Sequence, residues 1–166
     1  MEKTQRWLAN SARLRDEIDC LGAPSRAENE TYWHTKLKDK TREDYAIIDN
    51  ESGHIGNCGL NEINVKRKKA QLWIYLGELQ GRGIGSKAIS ALLARAFNEL
   101  GLERVYLRVL ANNPRAFAFY KALGFTEEGR MRHDTLQGDA YVDSYLLSML
   151  SAEFNASRLG LARTSV

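Results

Sequence analysis

Gly81, Gly83 and Gly85 stand at alternate positions in a 166-residue chain, between a run of strand character and a run of helical character. Glycines so placed free the backbone for a sharp strand-to-helix turn. At such a turn the unpaired N–H groups and the positive end of the helix dipole converge. The missing side chains also let a phosphate reach the main chain. Arg82 adds a cation beside them. The glycines alone fit an anion site and a tight turn equally well.

The flanking patterns supply the context. Ile89, Leu92, Leu93, Ala96 and Leu100 recur at helical spacing while Lys87, Arg95 and Glu99 take other positions. This predicts an amphipathic helix over 84–100, ended by Gly101. Upstream, the short runs 45–49, 54–65 and 70–76 predict an antiparallel meander, with Lys66-Arg67-Lys68-Lys69 as a solvated turn. Downstream, Val105, Leu107 and Val109 alternate with Tyr106 and Arg108, a strand pattern. Asn113 is a natural N-cap and Pro114 a natural first helical residue, and that helix closes at Gly124. Runs 126–133 and 141–150 flank Gln137-Gly138-Asp139 as a hairpin. The first quarter reads as a helix over 5–15, a break at Gly22-Ala23-Pro24, and a second helix capped by Ser25 and Glu28. The order predicts an α/β (α+β) mixed sheet in one domain, residues 1–154, with a tail over 155–166.

Composition narrows the function classes. A 43% hydrophobic content with two prolines describes a globular chain with a full-sized core. No apolar stretch nears the roughly 18 residues of a membrane span. Residues 1–10 are polar and lack a secretory apolar region, so the expected address is cytoplasmic. A net charge of +3 is too mild for a nucleic-acid binder. Cys20 and Cys58 fit neither a CxxC pair nor a zinc spacing, which predicts reduced thiols and no metal site.

Two phosphate motifs compete for the glycine turn. Gly85-Ser86-Lys87 has the wrong order for a Walker loop. Gly83 to Ala88 matches the loose dinucleotide pattern GxGxxA. Its acidic ribose partner should end the next strand, however, and Glu103 stands at that strand's beginning.

Gln80-Gly81-Arg82-Gly83-Ile84-Gly85 has the pattern Gln/Arg-x-x-Gly-x-Gly. About 33 residues later, Asn113 to Phe125 has the pattern Asn-x-x-Ala-x-x-x-Tyr-x-x-x-Gly-Phe. Together they resemble the two signatures of the GCN5-related N-acetyltransferases (GNAT), and the resemblance spans roughly residues 5–150. Glu128-Gly129-Arg130-Met131-Arg132 and Asp143 look like the branch of ribosomal-protein N-terminal acetyltransferases.

The resemblance implies a mixed, mostly antiparallel sheet with splayed central strands, flanked by about four helices. Family members usually carry a strand before the first helix. This chain opens almost in that helix, so the expectation is either that Met1 is a late start or that the sheet lacks its first strand, with one sheet edge in need of cover. A homo-oligomer is compatible with such an edge.

The implied function is acetyl transfer from acetyl-CoA to a primary amine by direct attack. The alternative is a non-catalytic CoA-binding module. Gln80, Gly81, Arg82, Gly83, Ile84, Gly85 and Ser86 would hold the pyrophosphate. The strand bearing Ile74, Tyr75 and Leu76 would pair with pantetheine, and the Leu76 N–H would polarise the thioester carbonyl. Tyr120 would protonate the leaving thiolate, its phenol being protonated at neutral pH. Asn113 serves as an N-cap and, by resemblance, touches the cofactor.

Glu62 is the candidate base, with Asp143 as a rival. Arg108 stands where some relatives carry a glutamate base. His34 and His133 read as surface or hairpin residues. Trp33, His34, Tyr141 and Asp143 are candidates for the acceptor region. A protein N-terminus, an amino sugar, a polyamine and an aminoglycoside all remain open as acceptors.

Overall fold

The alternating runs of the first half form three antiparallel strands, β1 (Glu43–Asp49), β2 (Gly53–Asn64) and β3 (Lys69–Leu76). The computed structural model describes residues 2–11, 25–36, 38–78 and 80–154. The basic run falls largely in an exposed turn between β2 and β3, and Val65, expected to end the strand, belongs to that turn. α3 (Ile84–Ala94) carries the chain over to β4 (Arg104–Leu110), which runs parallel to β3. α4 (Pro114–Ala122) precedes the hairpin β5 (Thr126–Gln137) and β6 (Ala140–Leu150). The sheet has six strands in the order β1-β2-β3-β4-β6-β5.

Two helices precede the sheet in sequence, α1 (Glu2–Asn10) and α2 (Arg26–Lys36). The capping box forms at the start of α2: the Ser25 N–H donates to Glu28 and the Glu28 N–H donates to Ser25 Oγ. Among the described residues no strand pairs with the outer edge of β1. Residues 12–24, which include Arg15, Cys20 and the expected break, lie outside the described residues, as does the tail from 155.

Strand alternation sorts the side chains onto two faces. Ala70, Leu72, Val105, Leu107, Leu147 and Met149 face α3 in the main core, where Ile89, Leu93 and Ala96 are fully buried. Opposite them, Trp73 and Tyr75 pack against Trp7 and Leu8 of α1. On that α1 face Asn57 Nδ2 donates to Thr4 Oγ1 at 3.0 Å and also to the Tyr75 hydroxyl.

Three local features depart from the periodicity. The helix expected over 84–100 is α-helical only to Ala94 and ends as a π-turn over Arg95–Glu99, where the Leu100 N–H reaches the Arg95 carbonyl at 3.0 Å. Gln137 pairs with Ala140, so the hairpin turn is the two residues Gly138-Asp139, with Gly138 at φ 61. β2 and β5 carry register shifts, and Glu62 and His133 take φ values of 51 and 53 there.

Candidate active site

The glycine turn is built for an anion by its backbone. Gly81 and Gly83 take φ values of 85 and 74, a region that side chains disfavour. Gly83 is the N-cap of α3, and no side chain caps the helix. The first N–H returned into the helix is that of Lys87, to the Gly83 carbonyl. The N–H groups of Ile84, Gly85 and Ser86 therefore have no intrahelical acceptor, and the first turn holds no acidic residue. Ser86 turns its hydroxyl back to the Gly83 carbonyl at 2.7 Å, and Arg82 is exposed beside the turn. These features fit a pyrophosphate.

Next to the turn the sheet opens. β3 and β4 pair only at Lys69/Arg104, Ala70/Val105 and Gln71/Tyr106, and beyond that point they diverge. Backbone direction follows from the other neighbour of β3. The Gly77 N–H donates to the Ile55 carbonyl, and the register runs on through Gly56/Leu76, Asn57/Tyr75 and Cys58/Ile74. Antiparallel alternation then turns Tyr75 toward β2 and points the polar groups of Ile74 and Leu76 into the gap. Gln80 Nε2 occupies the Leu76 carbonyl at 2.8 Å, linking turn and gap. Of the three strand residues expected to contact pantetheine, Ile74 and Leu76 offer backbone groups there. Tyr75 instead supplies a buried side chain on the α1 face.

α4 borders the gap on the core face. Asn113 Oδ1 accepts from the Ala116 N–H at 3.1 Å, so the expected cap forms. Tyr120 is part-buried against the main core, edge-on to Phe125 with ring centres 5.7 Å apart. Phe119, which the sequence reading did not single out, lies near the turn. A methyl group added at Gly85 would sit 3.7 Å from its ring and 3.6 Å from Leu76.

The α1 face carries acid–base groups instead. Tyr106, at the last β3/β4 pair, donates its hydroxyl to Glu62 Oε2. Burial, and then this bond, push the Tyr106 phenol up to about 12, so it stays protonated at neutral pH. Arg108 follows on the same face and meets Asp134 at 3.4 Å. The rival base Asp143 is engaged elsewhere. The His133 N–H and Arg130 Nε both donate to it at 2.8 Å, and the His133 bond chiefly holds its carboxyl below the ordinary range. The His133 and Tyr141 rings stack at 5.4 Å on this hairpin, and His34 is exposed on α2. Tyr106 escaped the sequence reading because outward alternation in a strand was its only signal.

The chain is similar to known proteins in sequence and fold. A family model described as an acetyltransferase (GNAT) domain matches residues 2–126. The spermidine N(1)-acetyltransferase of Vibrio cholerae is 28% identical over 128 residues, covering 76% of this chain and 74% of that protein. The putative ribosomal N-acetyltransferase YdaF of Bacillus subtilis is 28% identical over 159 residues, 91% of this chain and 85% of that one. Among solved structures, the Vibrio cholerae spermidine N-acetyltransferase in complex with CoA and spermine superposes with a TM-score of 0.84 at 25% identity, covering 92% and 90% of the two chains. The chain belongs to the GNAT acetyltransferase family and is an acetyl-CoA-dependent N-acetyltransferase.

Proposed function

We propose that the chain acetylates the primary amine of a small cationic acceptor by direct attack, with the two substrates entering the β3/β4 gap from opposite faces. The observation that carries this reading is the split of chemistry across the gap. The anion turn, the gap-facing backbone and Tyr120 belong to the core face, while Tyr106 and Glu62 belong to the α1 face.

Gln80, Gly81, Arg82, Gly83, Ile84, Gly85 and Ser86 hold the pyrophosphate, with Asn113 close to the cofactor. Ile74 and Leu76 continue the sheet ladder onto pantetheine, and Tyr75 backs that strand from the α1 face. Leu76 lies beside the turn and Ile74 about 7 Å deeper. The Leu76 N–H takes the oxyanion role toward the thioester carbonyl, and Ile74 pairs with the extended arm. Glu62 first takes a proton from the acceptor ammonium through Oε1, while Tyr106 keeps Oε2 in place, and the neutral amine then attacks. The new C–N bond forms as the C–S bond breaks, Tyr120 gives its proton to the departing thiolate, and the second proton shed by the acetylated nitrogen passes through solvent to restore the Tyr120 phenol.

A polyamine acceptor is supported by the spermidine acetyltransferase relative. A protein N-terminus is the second reading, supported by the putative ribosomal acetyltransferase. The catalytic unit spans residues 1–154, its address is the cytoplasm, and the β1 edge, unpaired among the described residues, suits a homo-oligomer. No helix among the described residues is long and apolar enough to cross a membrane.

The test is Tyr120→Phe, assayed by thiol release and by calorimetric CoA binding. The expected result is a fall in kcat of about a hundredfold with CoA affinity retained. Unchanged turnover removes Tyr120 as the acid. A parent protein that binds CoA tightly and releases no thiol with any amine is a binding module instead.

A further inference from the structure

β2 and β5 each carry a break in pairing that delivers a carboxylate to the face of Tyr106. In β2 the register shifts between Asn61 and Asn64, with Glu62 in the break at φ 51. In β5 it shifts between Glu127 and Gly129, with Glu128 in the break. A bulge of this kind gives up ladder pairing and re-aims a side chain. The two carboxylates end one line of contacts. Arg104 donates to Glu128 through Nη1 and Nη2, the latter at 2.6 Å from Oε2. The guanidinium carbon of Arg104 lies 5.5 Å from the centre of the Tyr106 ring, and the Tyr106 hydroxyl donates to Glu62 Oε2.

Sheet register sets these groups side by side. Lys69 pairs with Arg104, and two residues further Gln71 pairs with Tyr106. Tyr106 pairs in turn with Ser148 of β6, a buried serine whose hydroxyl donates to Glu128 Oε1 at 2.7 Å. The Arg104 bond is the chief cause that holds the Glu128 carboxyl below its ordinary range, so this clamp is charged at neutral pH.

Tyr106 reaches Glu62 only by crossing β3, because Gln71 pairs with Tyr106 on one side and with Asn61 on the other. Neighbouring strands stand about 4.8 Å apart, so the bond joins backbones about 10 Å apart. A ring stretched that far over another strand can pivot about its Cα–Cβ bond. Arg104 and the Lys69 ammonium, the latter 5.6 Å from the ring centre, attract the electron-rich ring face and oppose the pivot. Of these two cations, Arg104 is the one clamped by a carboxylate among the described residues.

We infer that Arg104 is a positioning residue for the reaction: anchored by Glu128, it braces the Tyr106 ring, which in turn fixes Glu62 for proton removal from the acceptor. In this role Arg104 touches no substrate, and its effect passes through Tyr106. The inference rests on the reading of Glu62 as the base and adds the brace behind it.

The experiment is a double-mutant cycle between Arg104→Met and Tyr106→Phe, read as kcat/KM for spermidine by thiol release at saturating acetyl-CoA. Tyr106→Phe keeps the ring and loses the bond to Glu62, and is expected to lower kcat/KM about tenfold or more. Arg104→Met is expected to lower it roughly threefold to tenfold in the parent, and by less than about twofold in the Tyr106→Phe background. Glu128→Gln releases the anchor while keeping the cation, and is expected to repeat this pattern at smaller size. It carries the same test if Arg104→Met does not fold. The KM for acetyl-CoA is expected to stay at the parent's value throughout, which a general loss of structure would not allow. Equal losses in both backgrounds, or no loss in the parent, overturn the brace. Full turnover in Glu62→Gln overturns the base reading and the brace with it. A parent that releases no thiol with spermidine or with a peptide N-terminal amine overturns the amine-acetylation reading itself, a different and recognisable result.

Discussion

Gly83 and Gly85 are glycines for different reasons. Gly83 sits at φ 74 as the N-cap of α3, where a Cβ meets open space but strains the backbone. Gly85 is helical, and a Cβ there makes ordinary contacts at 3.6 and 3.7 Å. Gly83→Ala is therefore expected to destabilise the free protein by about 1–2 kcal/mol, the cost of a left-handed residue. Gly85→Ala should leave its denaturant midpoint near the parent's and weaken CoA binding by crowding the phosphate. Urea melts and calorimetry on both variants check this. The glycine spacing was legible in the sequence as a turn, because conformational freedom belongs to the residue itself. The pairing of Tyr106 with Glu62 was not, since it joins residues 44 positions apart.

At the scale of elements, α1 is fastened to the strand end that leads into the glycine turn. Trp7 Nε1 donates to Glu78 at 3.1 Å, Arg6 donates to the same oxygen at 3.4 Å, and Lys3 pairs with Glu78 at 3.5 Å. The Trp7 ring also lies directly against Gly77, where a Cβ would come within 2.0 Å of it. The Trp7 bond is the main reason the Glu78 carboxyl stays below its ordinary range. Glu78→Ala is expected to raise the KM for acetyl-CoA roughly threefold to tenfold while kcat changes little, measured by steady-state thiol release. The spacing of apolar residues announced nearly every described strand and helix, and Ser25, Asn113 and Gly124 announced helix boundaries. The π-turn over Arg95–Glu99 and the shifts in β2 and β5 stayed hidden, because adding one residue to a turn barely alters a short apolar pattern.

Across the whole molecule, long-range ion pairs tie the helices and strands to one another. Arg95 bonds Glu43 of β1 through Nε at 3.0 Å and Nη2 at 2.8 Å while also holding Glu99. The Arg95 bond is the chief cause that holds the Glu43 carboxyl below its ordinary value. A carboxyl lowered on folding stabilises the protein fully above its unfolded value, about 4.3, and loses that contribution as pH falls through the folded value. The melting temperature of the parent is thus expected to drop as pH falls through roughly 5 to 3. Glu43→Gln should start lower at neutral pH and fall less over that window, as thermal melts at stepped pH will show. By itself the sequence determined the order of elements, the anion turn and the signature tyrosine, because periodicity, caps and glycine spacing act between near neighbours. Only the tertiary structure decided where β3 leaves β4, which backbone groups face the gap, and that Arg108 stands over a nearly buried Asp134. Those depend on sheet register and on contacts between residues far apart in the chain, which no local pattern records.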